Sequence, residues 1–141
     1  PGATYFVTFT LKNQSICDLT NDKIAPVVLN CLDFYAGKRF FLFDHTVMPD
    51  HVHLIIKPIE HEGKIELLGN VIGDVKKYSA RQINGILNRS GPLWLQEYYD
   101  RLLRSDREFQ KVARYIFENP IKAKLVDCGE DWKWWRQGRR P

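Results

Sequence analysis

The sequence is poor in cysteine. Cys17, Cys31 and Cys128 are the only three in 141 residues. The number is odd and no pair is spaced C-x-x-C, which excludes a disulfide framework and a cysteine zinc site. A reduced, cytosolic protein is expected. Long apolar runs are also lacking. None approaches the roughly 20 residues that a membrane helix needs, so no membrane is expected among its partners. No leader is visible, although the chain opens on Pro1 rather than Met, and residues before it are expected. A charge of one sign does not dominate either: 21 Lys and Arg stand against 17 Asp and Glu, for a net charge of +4. That sum favours an anionic partner only modestly.

What is there is ordinary globular composition, 44% hydrophobic and 27% charged, at a length suited to one domain with its own core. The cations concentrate in the second half, among aromatics. Lys76, Lys77, Arg81 and Arg89 come first, then Arg101, Arg104 and Arg107, then Lys133, Arg136, Arg139 and Arg140 in the tail. Solvated helix faces account for such runs in many proteins; phosphate contacts are the functional alternative.

The pattern of apolar residues outlines seven elements. Tyr5 to Leu11 (YFVTFTL) predicts a strand, and Asp22 to Tyr35 a helix ended by Gly37. Arg39 to Met48 and His51 to Lys57 predict two strands joined so closely that they pair as an antiparallel hairpin. Ile65 to Leu87 is one helical pattern whose first turns are weakened by Gly69 and Gly73. Leu93 to Leu103 predicts a fourth strand. Asp106 to Glu118 predicts a helix capped by Ser105 or Asp106 and stopped by Asn119-Pro120, with a short helix near Ile121 to Leu125. The order β-α-β-β-α-β-α predicts an α+β fold: a ferredoxin-like, split βαβ antiparallel sheet with helices on one face and the other face free for a site. One domain over residues 1–128 is expected, followed by a basic, Trp-rich tail over 129–141.

His51 and His53 are two apart in a predicted strand, so both imidazoles project from one sheet face. That is half of a divalent-metal site; two surface or hydrogen-bonded histidines would show the same spacing. Tyr115 and Asn119, four apart in a helix, also share a face. Tyr115 offers a nucleophile and Asn119 a neutral oxygen ligand, or else a packed ring and a helix-end residue.

HVHLII after MPD, LWLQEYYDRLLRS, and YIFENPIKAKLV occur in that order. Together they resemble the signatures of the REP-associated tyrosine transposases, single-tyrosine HUH endonucleases related to single-strand insertion-sequence transposases. The resemblance runs from YFVTFTL through KAKLV. It implies that His51 and His53 bind a metal, Mg2+ or Mn2+, that Asn119 completes its coordination, and that Tyr115 is the catalytic residue. The implied substrate is single-stranded DNA near palindromic hairpin repeats, acted on by a monomer or homodimer in the cytoplasm at the nucleoid. The implied C-terminal helix carries the catalytic tyrosine. Two positions depart from the pattern. Asp50 stands where Asn is usual, and is expected to cap a turn rather than to act near the metal. Lys124 stands where Gly is common.

DNA contact requires cations for phosphates and rings for unpaired bases. Lys76, Lys77, Arg81, Arg101, Arg104, Lys133, Arg136 and Trp134 are the candidates, with tail tryptophans docked on the body as the alternative for the last of these. The expected activity is a metal-dependent endonuclease and strand transferase with a 5′-phosphotyrosine intermediate. An idle hairpin-binding regulator is the main alternative. A replication or plasmid-transfer initiator usually has paired tyrosines or a third histidine, and neither is evident. An RNA-binding module of the same fold would carry a K/R-G-F/Y run, which is absent.

Overall fold

The aromatic and β-branched residues of TYFVTFT form a strand in the interior of a sheet. In the computed structural model, which describes residues 2–138, β1 (Thr4–Thr10) is followed by α1 (Ala25–Tyr35), β2 (Phe40–Val47) and β3 (His51–Pro58). A small hairpin of β4 (Glu60–His61) and β5 (Lys64–Ile65) precedes α2 (Leu68–Leu87). Then come β6 (Tyr99–Leu103), α3 (Asp106–Lys122), a 3-10 turn at Gly129–Asp131 and β7 (Trp135–Arg136). Five strands lie in the order β6-β1-β3-β2-β7, every neighbour antiparallel. The first four of these have the arrangement of a split βαβ pair, as the sequence pattern predicts.

The sheet's two faces divide the core. Val7 and Phe9 of β1 and Val52, Leu54 and Ile56 of β3 pack against Val28 and Leu32 of α1 and Val71, Ile72 and Val75 of α2. The intervening residues point the other way. Phe6, Ile55 and, at a bulge between Leu42 and His45, Phe43 meet Val112, Ala113 and Ile116 of α3. Thus α1 and α2 cover one face, and α3 crosses the face that the sequence left free.

Four expectations need correction. The helix predicted from Ile65 begins at Leu68, because Glu62 (φ 52°) and Gly63 (φ 78°) both turn left-handed and pair Lys64–Ile65 with Glu60–His61. Two successive positive φ values are what a tight hairpin turn requires. The strand predicted from Leu93 is confined to Tyr99–Leu103. Leu93 and Trp94 keep only a short antiparallel bridge to Leu11 beyond β1, and their side chains enter the core, where Trp94 packs edge-on to Phe9 at 4.8 Å and its Nε1–H donates to Ser79 Oγ at 3.1 Å. Asn119-Pro120 does not stop the last helix. Pro120 is buried inside α3, and the turn closes beyond it through Ala123 N–H to Asn119 O and Leu125 N–H to Pro120 O. The tail is no appendage as far as residue 138: β7 pairs with β2, and Trp134 lies in the core. Arg139 and Arg140 lie outside the described residues.

Among the described residues, no helix is long and apolar enough to cross a membrane.

Candidate active site

His51 and His53 emerge from β3 on the α3 face, opposite Thr10 and Thr8 of β1. Their Nε2 atoms lie 3.0 Å apart. Each remaining ring nitrogen has its own partner: His51 Nδ1 lies 2.7 Å from Asp50 Oδ1, and His53 Nδ1 2.7 Å from Thr8 Oγ1. With Nδ1–H donating to these oxygens, both Nε2 lone pairs are left for one occupant. His53 is 6% exposed. Burial, aided by the neighbouring His51 and opposed by Asp50, pulls its pKa down to about 3, so the ring is a neutral donor at any ordinary pH. Asp50 therefore does more than cap a turn, and the expectation for it is revised: its carboxylate orients His51.

The arrangement fits a divalent ion. Two nitrogens bound side by side at about 2.1 Å stand about 3.0 Å apart when the bonds are at right angles, the separation found here. No group of three or more His, Cys, Asp or Glu able to hold a metal occurs among the described residues. Further ligands must then be neutral protein oxygens, water or substrate, a donor set suited to a loosely held Mg2+ or Mn2+ and unlike a closed structural zinc site. Thr46, the direct neighbour of His53 on β2, is fully buried, and among the described residues its Oγ1 has no hydrogen-bond partner.

α3 brings the tyrosine to this pair. Its start is set by a capping box: Ser105 Oγ accepts from Glu108 N–H at 3.1 Å, and Glu108 Oε2 accepts from Arg104 N–H at 3.0 Å. Val112, Ala113 and Ile116 anchor the apolar stripe on the sheet, and Tyr115 falls at its rim, 40% exposed. The Tyr115 ring meets His53 edge-on at 5.4 Å and Phe6 at 6.0 Å, while Lys122 Nζ sits 5.8 Å from its centre. Asn119, one turn further, is half-buried, and its side chain makes no hydrogen bond among the described residues. The structure thus unites His51, His53 and Tyr115 and puts Asn119 on the adjoining turn.

The DNA candidates scatter. Arg101 pairs with Phe6 in the sheet, so it lies exposed on the site face; Arg104 is exposed just beyond β6. Lys77 and Arg81 flank the Tyr78 ring on α2, across the sheet from Tyr115. Lys76 is not a free cation: its ammonium donates to Leu95 O at 2.6 Å and Gln96 O at 2.9 Å, tying down the loop before β6. Trp134 is 7% exposed and has no face left for a base, so it is a core residue. Lys133 pairs with Asp22 at 2.9 Å, and Arg136 donates to the carbonyls of Lys133 and Trp135. Sequence reasoning missed Thr8, although its polar place in the alternation of YFVTFTL was the signal. It gave Tyr99 no part in binding. Tyr99 is paired with Thr8 on the site face, is 52% exposed and lies 5.9 Å from Phe6, open for a base to stack.

The fold is an α+β, split βαβ sheet that carries a histidine pair on the face α3 crosses, with Tyr115 beside it. The chain belongs to the IS200-like transposase family, whose family model, described as "Transposase IS200 like", matches residues 4–119. It is 23% identical over 143 residues to a candidate REP-associated tyrosine transposase of Haemophilus influenzae, covering 93% of this chain and 77% of that protein. Among solved structures it resembles a REP-associated tyrosine transposase bound to a REP hairpin, with a TM-score of 0.76 and 21% identity over 95% of this chain and 76% of that one. A candidate transposase from Deinococcus radiodurans aligns with a TM-score of 0.58 and 21% identity, over 84% and 91% of the two chains. The resemblance carried by the three motifs is borne out.

Proposed function

We propose that the chain is a metal-dependent single-stranded DNA endonuclease and strand transferase in which Tyr115 is the nucleophile. The observation that carries this reading is the meeting of the Tyr115 ring with buried His53, whose Nε2 converges with that of His51. The family and the hairpin bound to its structural relative support palindromic, REP-like repeats as the substrate. His51, His53 and Asn119 would hold Mg2+ or Mn2+. When bound, the ion supplies Lewis-acid polarisation of a non-bridging phosphate oxygen.

The chain's own residues do the rest. Thr8 and Asp50 hold the two imidazoles so that their Nε2 atoms are aimed at one point. α3 holds the phenol at the solvent edge of the site, where a strand has access. The Tyr115 oxygen attacks phosphorus in line, forming a phosphotyrosine with the 5′ end and breaking the bond to the 3′ oxygen. The proton lost by the phenol is balanced by the one the departing 3′-hydroxyl takes up. A second 3′-hydroxyl then attacks the phosphotyrosine and frees Tyr115. One phosphodiester replaces another, so joining needs no ATP. His53 and Tyr115 meet within one chain, so one copy suffices to build the site.

The test is incubation with labelled single-stranded DNA bearing palindromic hairpins, with Mn2+ or EDTA, beside Tyr115→Phe. Expected are metal-dependent cleavage and a covalent protein–DNA adduct that Tyr115→Phe loses while still binding. Tight hairpin binding with neither cleavage nor adduct would establish the idle regulator instead.

A further inference from the structure

α3 carries more cations than its helix needs, and they are not spread around it. Arg107, Lys111, Arg114 and Lys122 line, with Tyr115 and Glu118, one open groove of about 430 Å³. At about 100° per residue, these six positions fall within roughly one quadrant of the helix. Val112, Ala113 and Ile116 occupy the opposite side and the core. Tyr115 lies at the boundary between the two, so the nucleophile is the inner edge of a basic stripe. Four cations face a single carboxylate, Glu118. Among the described residues none of the four takes part in an ion pair, whereas Arg39 and Lys133 do. A row of unpaired like charges on one helix face is mutually repulsive and lowers stability; an anionic strand laid along it would relieve that cost. From Arg107 to Lys122 the stripe spans about 22 Å, room for several consecutive phosphates of one strand.

We propose that the exposed face of α3 is the phosphate track for the unpaired strand next to the scissile bond, with Lys111 and Arg114 gripping the phosphates nearest Tyr115. This rests on the reading of the chain as a single-stranded DNA transferase and specifies where that strand lies. It places the strand on the Tyr115 side of the sheet, away from Lys77 and Arg81 on α2. An open groove lined by charged side chains and one aromatic ring suits a backbone with a base beside it better than an enclosed small ligand.

The experiment is binding of an unstructured single-stranded oligonucleotide in EDTA across a salt series. The full chain is compared with Lys111→Ala/Arg114→Ala and with the equal-charge control Lys23→Ala/Lys64→Ala. Each single-strand phosphate contact contributes about 0.7 to the slope of log affinity against log salt. The α3 double variant is expected to flatten the slope by about 1.4, with the control pair unchanged. An unchanged slope, or equal flattening by the control pair, overturns the track. Circular dichroism melts guard against misfolding, and Lys111→Gln/Arg114→Gln, which keeps side-chain length, must give the same result. The adduct assay on the unsubstituted chain is scored separately. An adduct with an unchanged slope sinks the track alone, whereas a flattened slope with no adduct sinks the transferase reading and leaves the track standing.

Discussion

The Tyr115 ring stands at 67° to the His53 imidazole with centroids 5.4 Å apart. One ring comes from the last helix and the other from the middle strand, and Phe6 of β1 touches both, at 6.0 Å and 5.5 Å. The place of the tyrosine ring is therefore tied to how firmly the histidine is held, and under the proposed mechanism so is its chemistry.

Thr8 and Asp50 do that holding. Thr8→Val keeps the shape and removes the oxygen beside His53 Nδ1. Loss of such a supporting partner typically weakens metal affinity or activity by about 10- to 100-fold. The Mn2+ concentration giving half-maximal cleavage is expected to rise within that range for Thr8→Val, and to rise less for Asp50→Asn, which keeps an oxygen. No change in either variant would show that the two contacts are incidental.

Acid should destabilise the fold through its buried histidines. Burial and then His51 lower the His53 pKa to about 3, and burial also lowers that of His45, whose Nδ1 lies 2.7 Å from Phe43 O. Both folded values are below the usual 6.5, so below that pH the unfolded chain takes up protons that the folded chain refuses. Stability is complete above about pH 6.5 and falls with pH, by up to about 1.4 kcal/mol per unit for His53 until about pH 3. Urea midpoints measured in EDTA between pH 7 and pH 4 should show the decline, and His53→Gln should remove part of the slope. A midpoint independent of pH over that range contradicts the burial argument.

Trp134 should behave as a core residue. It packs with the cluster under α1 and α2, and Trp132 anchors the same segment by donating to Val47 O at 3.1 Å. Trp134→Ala is expected to cost about 3–5 kcal/mol of stability. At a temperature where the variant remains folded, its affinity for single-stranded DNA should match the parent's. A stable variant with weak DNA binding would restore the stacking role.

Lys124 is held at φ 60°, the left-handed region that disfavours a Cβ by roughly 1–2 kcal/mol. Lys124→Gly relieves this and gives back part of it through greater freedom of the unfolded chain. A net gain of about 1 kcal/mol is expected, seen as a rise of a few degrees in thermal midpoint. A lower midpoint would mean that the lysine side chain contributes more than the backbone strain costs.

Much of the fold was legible locally. The period-2 pattern of HVHLII put both imidazoles on one face, and YFVTFTL sorted its own residues between two faces. The spacing of Val112, Ile116 and Pro120 set the side of α3 that is buried. The misreadings have local causes as well. Leu93 to Leu103 looks like one unbroken strand because apolar side chains do not show that the chain leaves the ladder between the Trp94 bridge and Tyr99. Pro120 reads as a stop because the lost hydrogen bond is visible in sequence and its burial is not. Of the candidate DNA contacts, Lys76 and Trp134 failed because a cation or a ring advertises itself in sequence whether or not a carbonyl or a core has already claimed it.

By itself, the sequence determined the α+β order, the shared face of His51 and His53, the shared face of Tyr115 and Asn119, and the family. All of these follow from periodicities of a few residues or from short motifs, and hold wherever the strand or helix goes. Only the tertiary structure decided that α3 crosses the face opposite α1 and α2, bringing Tyr115 to His53. It alone paired Thr8 with His53, and it put the unpaired cations of α3 beside the tyrosine while Lys77 and Arg81 went to the far side. Those relationships join segments distant in the chain, and they are set by which apolar stripe fits which sheet face.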